Sequence, residues 1–153
     1  MTLRQRYGLR ERQWPGSLHG EQVDDRSVLE IGTITLEWSP WVPWPDIAVD
    51  DRGRGGVRIP NKASGVYEVQ YAEASGEERL HIGKATDLRW RIRQGLVKGI
   101  APHSTGKRIR AAEDVSKLVV RWAVTDRPSC AEEGLHRLHR EAFGALPKYT
   151  LRT

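Results

Sequence analysis

The sequence predicts a small α/β (α+β) sandwich: a three-stranded antiparallel sheet flanked by helices, preceded by a β-rich or irregular extension. Two observations carry this. Residues Gly65–Ala72 (GVYEVQYA) and Arg79–Ala85 (RLHIGKA) have strand character, and the short turn ASGEER between them implies an antiparallel hairpin. From there the chain reads strand, strand, helix, short helix, strand, helix, an order that packs helices on one sheet.

Each element follows from local chemistry. Thr86 or Asp87 is placed to cap a helix from Leu88 to about Lys98, which ends near Gly99. Pro102–Thr105 reads as loop and Lys107–Glu113 as a short helix. Lys117–Thr125 (KLVVRWAVT) is a third strand. Pro128 opens a last helix that runs to about Phe143 and stops at Gly144. The first 63 residues are less regular and form an extension; residues 64–153 form the main domain. Arg4, Arg6, Arg10 and Arg12 suggest a mobile arm or short helix. Val28–Trp38 alternates with strand period, Ile34 and Leu36 facing opposite to Thr33 and Thr35. Around Trp38, Trp41 and Trp44 stand Pro40, Pro43 and Pro45, which forbid a helix and a central strand. The tryptophans are either a satellite core or stacking platforms for unpaired bases. Asp50–Pro60 reads as a turn-rich linker.

Composition narrows the function. With 38% hydrophobic and 29% charged residues the chain suits a globular domain, and no apolar run approaches the ~20 residues of a membrane helix. The start lacks the apolar stretch of a signal peptide. The lone Cys130 excludes an internal disulfide and a multi-cysteine zinc site, which fits a reducing, cytoplasmic setting. The net charge of +5 is unevenly placed. Residues 1–64 balance nine Lys/Arg with nine Asp/Glu, while residues 65–153 hold sixteen against eleven. A basic second part attracts polyanions.

A motif set lies in that basic part. Gly65-Val66-Tyr67 and His81-Ile82-Gly83 occupy the two hairpin strands, followed by HIGKATDLRWR, the helix segment AEEGLHRLH and the terminal LPKYT. This ordered set resembles the GIY-YIG nuclease family, in particular the nuclease domain of the excision-repair incision protein and restriction-type members. It covers about the last 90 residues, with His81 in place of the first tyrosine of YIG and Thr150 in place of a terminal asparagine. The resemblance implies a metal-dependent endonuclease acting on nucleic acid, DNA first, with Mg²⁺ or Mn²⁺. It implies that Tyr67 handles the attacking water, that His81 assists, that Arg91 stabilises the transition state and that Glu132 binds the metal. Lys84 matches a lysine of some members and joins the catalytic set.

The chemistry suits these residue types. Phosphodiester cleavage needs a base, a cation at the developing charge and help for the leaving oxygen. A guanidinium fork neutralises a phosphorane, and one carboxylate with waters suits Mg²⁺. Residue geometry alone leaves two choices open. On the helical wheel Leu88, Ile92 and Leu96 form the buried stripe, with Arg91 on one flank and Arg89 on the other. In the last helix Glu132 lies at the edge of the apolar face and Glu133 points further out. Arg89 and Arg93 are then solvated charges or phosphate contacts. Lys98, His103, Lys107 and Arg108, with Arg110, read as nucleic-acid backbone contacts, and Thr150 as a substrate-side hydroxyl. His136 and His139 are partly buried helix residues or phosphate contacts rather than zinc ligands. A single-site domain cuts one strand at a time, so a homodimer would serve duplex cleavage. The alternatives are a non-catalytic nucleic-acid-binding module and the same fold recruited to small-molecule chemistry.

Overall fold

A computed structural model describes residues 2–6, 33–49, 57–74 and 78–150. Arg10 and Arg12, Val28–Gly32 and Asp50–Gly56 lie outside the described residues. The fold is α+β. Its main sheet is antiparallel and has four strands, one more than expected, ordered β3 (Val42–Pro43), β6 (Leu118–Val124), β4 (Gly65–Tyr71) and β5 (His81–Ala85). A separate two-stranded ribbon pairs β1 (Thr2–Arg6) with β2 (Thr33–Glu37). Arg4 and Arg6 therefore belong to a strand, not to an arm or helix.

The β4–β5 hairpin forms as expected, and it sets the register of the site. Tyr67 stands opposite Gly83 on one side and Trp122 on the other. Alternation puts Tyr67, Val69, Tyr71, His81, Gly83, Val120 and Trp122 on one face. Val66, Glu68, Ile82, Lys84, Arg121 and Ala123 take the other.

The first face carries the main core. Tyr67, Val69, Val120 and Trp122 pack there with Leu88, Ile92 and Leu96 and with Ile109 of α2 (Ser104–Ala112). Trp44, Ile47 and Ile59 join the same cluster, so Val57–Pro60 is packed structure rather than linker. The second face is covered by α3 (Pro128–Phe143) through Ala131 and Leu135, and by Ile34 and Leu36 of β2. The predicted alternation in β2 holds, with Thr33, Thr35 and Glu37 exposed.

Two elements differ from expectation for stated reasons. The proline-rich segment does form a helix, though of one turn: α1 (Trp44–Ile47) has Pro45 within its first positions, where no intrahelical N–H is lost. Pro43 lies on the edge strand, where its missing N–H costs no ladder bond. The helix after β5 begins at Leu88, with Asp87 Oδ1 accepting from Trp90 N at 3.2 Å, and then winds as a π-helix over Trp90–Val97. A bond from Lys98 N to Arg93 O, five residues back, closes it at 2.9 Å. Gly99 and Gly144 end their helices at φ +70° and +74°. Among the described residues no helix is long and apolar enough to cross a membrane.

Candidate active site

The site is built around one hydroxyl. Tyr67 is fully buried on β4, and its ring lies across the backbone of Gly83. A Cβ at position 83 would come within 2.6 Å of Tyr67 Cζ and Oη and 2.7 Å of His81 Nε2. Glycine inside that strand is thus a packing requirement.

Two histidines converge on Tyr67 Oη, His103 Nε2 at 2.9 Å and His81 Nε2 at 3.3 Å. The hydrogen-bond chemistry fixes the direction of each contact. His103 precedes α2 as its N-cap, and its Nδ1 accepts from Gly106 N at 2.9 Å. In a neutral ring the proton then sits on Nε2, so His103 donates to Tyr67. Tyr67 keeps its own proton for His81, whose Nε2 accepts. His81 therefore carries its proton on Nδ1, which faces Thr150 Oγ1 at 3.4 Å. Thr150 Oγ1 in turn lies 3.5 Å from both N and O of Ile82. The chain of donors runs one way: His103, Tyr67, His81, Thr150.

Electrostatics agree with neutral histidines. Burial lowers His81 to about 3, helped by the repulsion a charged ring there would meet from His103, His136 and Arg91. Burial, then Arg91 and Arg110, lower His103 to about 4. Tyr67 is raised to about 12, mainly by burial. Arg91 opposes that rise, as a charge and as a hydrogen-bond donor, and Glu132 adds to it. Arg91 is exposed and Glu132 half-buried, so these two present the site to solvent. Glu133, the competing carboxylate, points outward and is exposed.

Of the expected site residues, Tyr67, His81 and Thr150 are brought into one hydrogen-bonded chain, and Arg91 and Glu132 act on Tyr67 through their charges. Lys84 is not part of this hydroxyl chain. It leaves β5 on the opposite face, and Ser129 holds its ammonium at 3.0 Å. Arg89 and Arg93 are not solvated phosphate contacts either. Arg89 Nε donates to Ile59 O at 2.7 Å, and buried Arg93 donates to Ile47 O at 3.1 Å and to Val57 O. Both arginines fasten the extension to the π-helix. Arg110 caps the carbonyls of Gly95 and Leu96. Of the expected backbone contacts, Lys98, Lys107 and Arg108 are exposed, whereas His103 is buried inside the site. No local pattern marks that role, because histidine is an unusual N-cap and lies far from Tyr67 in sequence.

His136 and His139 are buried and structural. His136 Nε2 bonds Ile82 O at 3.1 Å. His139 donates from Nδ1 to Ala145 O at 2.7 Å and accepts from Arg79 N at 3.2 Å. A second buried cluster escaped the motif reading. Glu68 Oε2 accepts from Arg79 Nε at 2.8 Å and from Arg121 Nε at 2.7 Å, with Trp38 and Trp41 stacked on Arg121. The tryptophans serve these cations and, at Trp44, the core. Among the described residues no three His, Cys, Asp or Glu side chains group to hold a metal. The donor set at the site is one carboxylate, Glu132, which fits a hard, largely hydrated divalent ion rather than a caged zinc.

No protein-family model matches the chain, nor does any curated protein or solved structure.

Proposed function

We propose that the chain is a metal-dependent endonuclease of the GIY-YIG type, hydrolysing phosphodiester bonds in DNA one strand at a time. The observation that carries this reading is the contact of His81 and His103 with the buried hydroxyl of Tyr67, on which the charges of Arg91 and Glu132 also act. Three of these four partners are positions that motif order alone assigns to the chemistry.

Glu132 would hold Mg²⁺ or Mn²⁺, which when bound supplies Lewis-acid stabilisation of charge at the phosphate and its leaving oxygen. The chain's own residues do the rest. Arg91, exposed, receives the phosphate and neutralises its growing charge. With Tyr67 near 12 and His81 near 3, the phenol keeps its proton in the resting site. Arg91 already lowers Tyr67, and a Glu132 neutralised by the ion would cease to raise it. Both effects favour releasing the Tyr67 proton, which His81 Nε2 is placed to accept. The oxygen left behind is steadied by His103 Nε2–H and can take a proton from the attacking water. Lys98, Lys107 and Arg108 supply sequence-independent backbone contacts. Cleavage of both strands would take two copies or two visits.

A second reading, a nucleic-acid-binding module without catalysis, is favoured by one fact: the Tyr67 side chain is wholly buried, as a structural tyrosine would be. One assay separates the two. The protein is incubated with single-stranded, duplex and branched DNA in Mg²⁺, Mn²⁺ or EDTA, beside Glu132→Ala. Metal-dependent cutting abolished by the substitution supports the nuclease. Salt-sensitive binding without cutting supports the module.

A further inference from the structure

Three of the elements that supply the Tyr67 hydroxyl chain (β4, α2 and the C-terminal turn) meet again at a carboxylate the proposed chemistry does not use. Glu113 caps the end of α2, the helix that starts at His103. Its Oε1 accepts from Lys148 Nζ at 2.6 Å and from Tyr149 Oη at 2.7 Å, and its Oε2 accepts from Tyr71 Oη. Tyr71 shares β4 and its face with Tyr67, and Tyr149 precedes Thr150. Each of the three elements thus contributes one residue to the hydroxyl chain and at least one to this clasp: His103 with Glu113, Tyr67 with Tyr71, Thr150 with Tyr149.

The C-terminal turn is also held by packing, Tyr149 being 4% exposed in the main core with Arg108 5.2 Å over its ring. Thr150 N bonds Pro147 O at 2.9 Å within the turn, and Tyr149 N bonds Leu80 O at 2.9 Å beside β5. The Thr150 hydroxyl contacts at 3.4–3.5 Å are long, so they depend on where the turn is held. The clasp supplies strong, charge-assisted bonds in a mostly buried place, the Glu113 side chain being 8% exposed. Burial alone would raise the Glu113 carboxyl. The donors from Lys148, Tyr149 and Tyr71 prevail and hold it down to about 2, so it stays ionised near neutrality.

We infer that Glu113 is a positioning residue: by clasping Tyr149 and Lys148 it holds Thr150 as the acceptor for His81 Nδ1–H, which together with the proton donated by Tyr67 keeps His81 Nε2 bare. His103 needs no such help, because the Gly106 amide sets its tautomer from within α2. The consequence for catalysis rests on the nuclease reading; the tautomer itself does not.

The test is nitrogen-15 NMR of the histidine side chains in the full-length protein, wild type and variants, near neutral pH. The wild type is expected to show His81 protonated on Nδ1 and His103 on Nε2. Glu113→Ala and Tyr149→Phe are expected to give His81 a mixture of tautomers and leave His103 unchanged. Thr150→Val should do the same, and Thr150→Ser should restore the wild-type pattern. Should Glu113→Ala fail to fold, Tyr149→Phe and Thr150→Val carry the test. A wild-type His81 protonated on Nε2, or a His81 signal indifferent to folded Glu113→Ala, Tyr149→Phe and Thr150→Val variants, would overturn the inference. Where the wild type cuts DNA, the single-turnover rate should fall about tenfold in Thr150→Val with KM unchanged and recover in Thr150→Ser. A wild type that does not cut sinks the nuclease reading and leaves the NMR outcome to decide the clasp.

Discussion

Nε2 of His103 lies 2.9 Å from the hydroxyl of Tyr67, while Nδ1 of the same ring accepts the Gly106 amide that opens α2. One side chain thus caps a helix and donates to a buried phenol.

Replacing His103 with alanine removes both bonds. Loss of a cap costs about 0.5–2 kcal/mol, and loss of one donor to a hydroxyl that keeps its bond to His81 about 0.5–1.5 kcal/mol. His103→Ala should lower the free energy of unfolding by roughly 1–3 kcal/mol, read from urea denaturation. An unchanged midpoint would mean that neither bond forms in solution.

Gly83→Ala tests the contact between β5 and the Tyr67 ring. The added methyl would stand 2.6 Å from Tyr67 Cζ and Oη, against a fully buried ring with little room to yield. The expected cost is about 1–3 kcal/mol, with displacement of Tyr67 from its histidines. Gly144→Ala is the control. It meets nothing within 4 Å and is penalised only for its φ of +74°, about 1–2 kcal/mol. Thermal melting ranks the two, and only Gly83→Ala should also perturb the His81 and His103 side-chain resonances.

Much of this arrangement is legible in the sequence. The hairpin, the third strand and the last helix follow from period, turn chemistry and Gly144. The apolar stripe of Leu88, Ile92 and Leu96 is read correctly, yet it cannot tell a π-helix from an α-helix, because both bury that set. Arg89 and Arg93 were expected in solvent because charge is the default surface signal. Their bonds to the carbonyls of Ile59, Ile47 and Val57 are long-range, and local sequence does not encode them. The place of His103 is hidden for the same reason. Tyr67, His81, Arg91 and Glu132 were legible only through motif order, since each residue alone has ordinary structural uses.

Removing the carboxylate from the buried ion cluster should be among the most damaging single changes. Glu68 is 3% exposed and lies between Arg79 and Arg121, each 7% exposed. Glu68→Ala leaves two buried guanidinium groups without it, a loss of about 3–5 kcal/mol. Chemical denaturation of the variant measures this. A change below about 1 kcal/mol would show that other partners of the arginines hold the cluster.

The buried histidines set an acid limit. His81 and His103 fall to about 3 and about 4 in the fold, below the ordinary value near 6.5. The unfolded chain then binds more protons than the folded chain below about pH 6.5, so stability falls with falling pH. The stabilisation is complete above that pH and is lost on acidification toward the folded values. Each histidine contributes up to about 1.4 kcal/mol per pH unit inside that window. Urea titrations between pH 7.5 and 4.5 should show this slope, and His81→Gln should remove part of it. A flat profile would mean that the rings are solvated.

The most direct measurement is single-turnover DNA cleavage by Tyr67→Phe, which removes one oxygen and keeps the ring over Gly83. If the hydroxyl relays a proton to His81 and acts on water, the Mg²⁺-dependent rate should fall about 10²–10⁴-fold in a folded variant, with DNA affinity unchanged. A folded Tyr67→Phe protein that cuts as fast as the wild type would contradict a catalytic role for this hydroxyl.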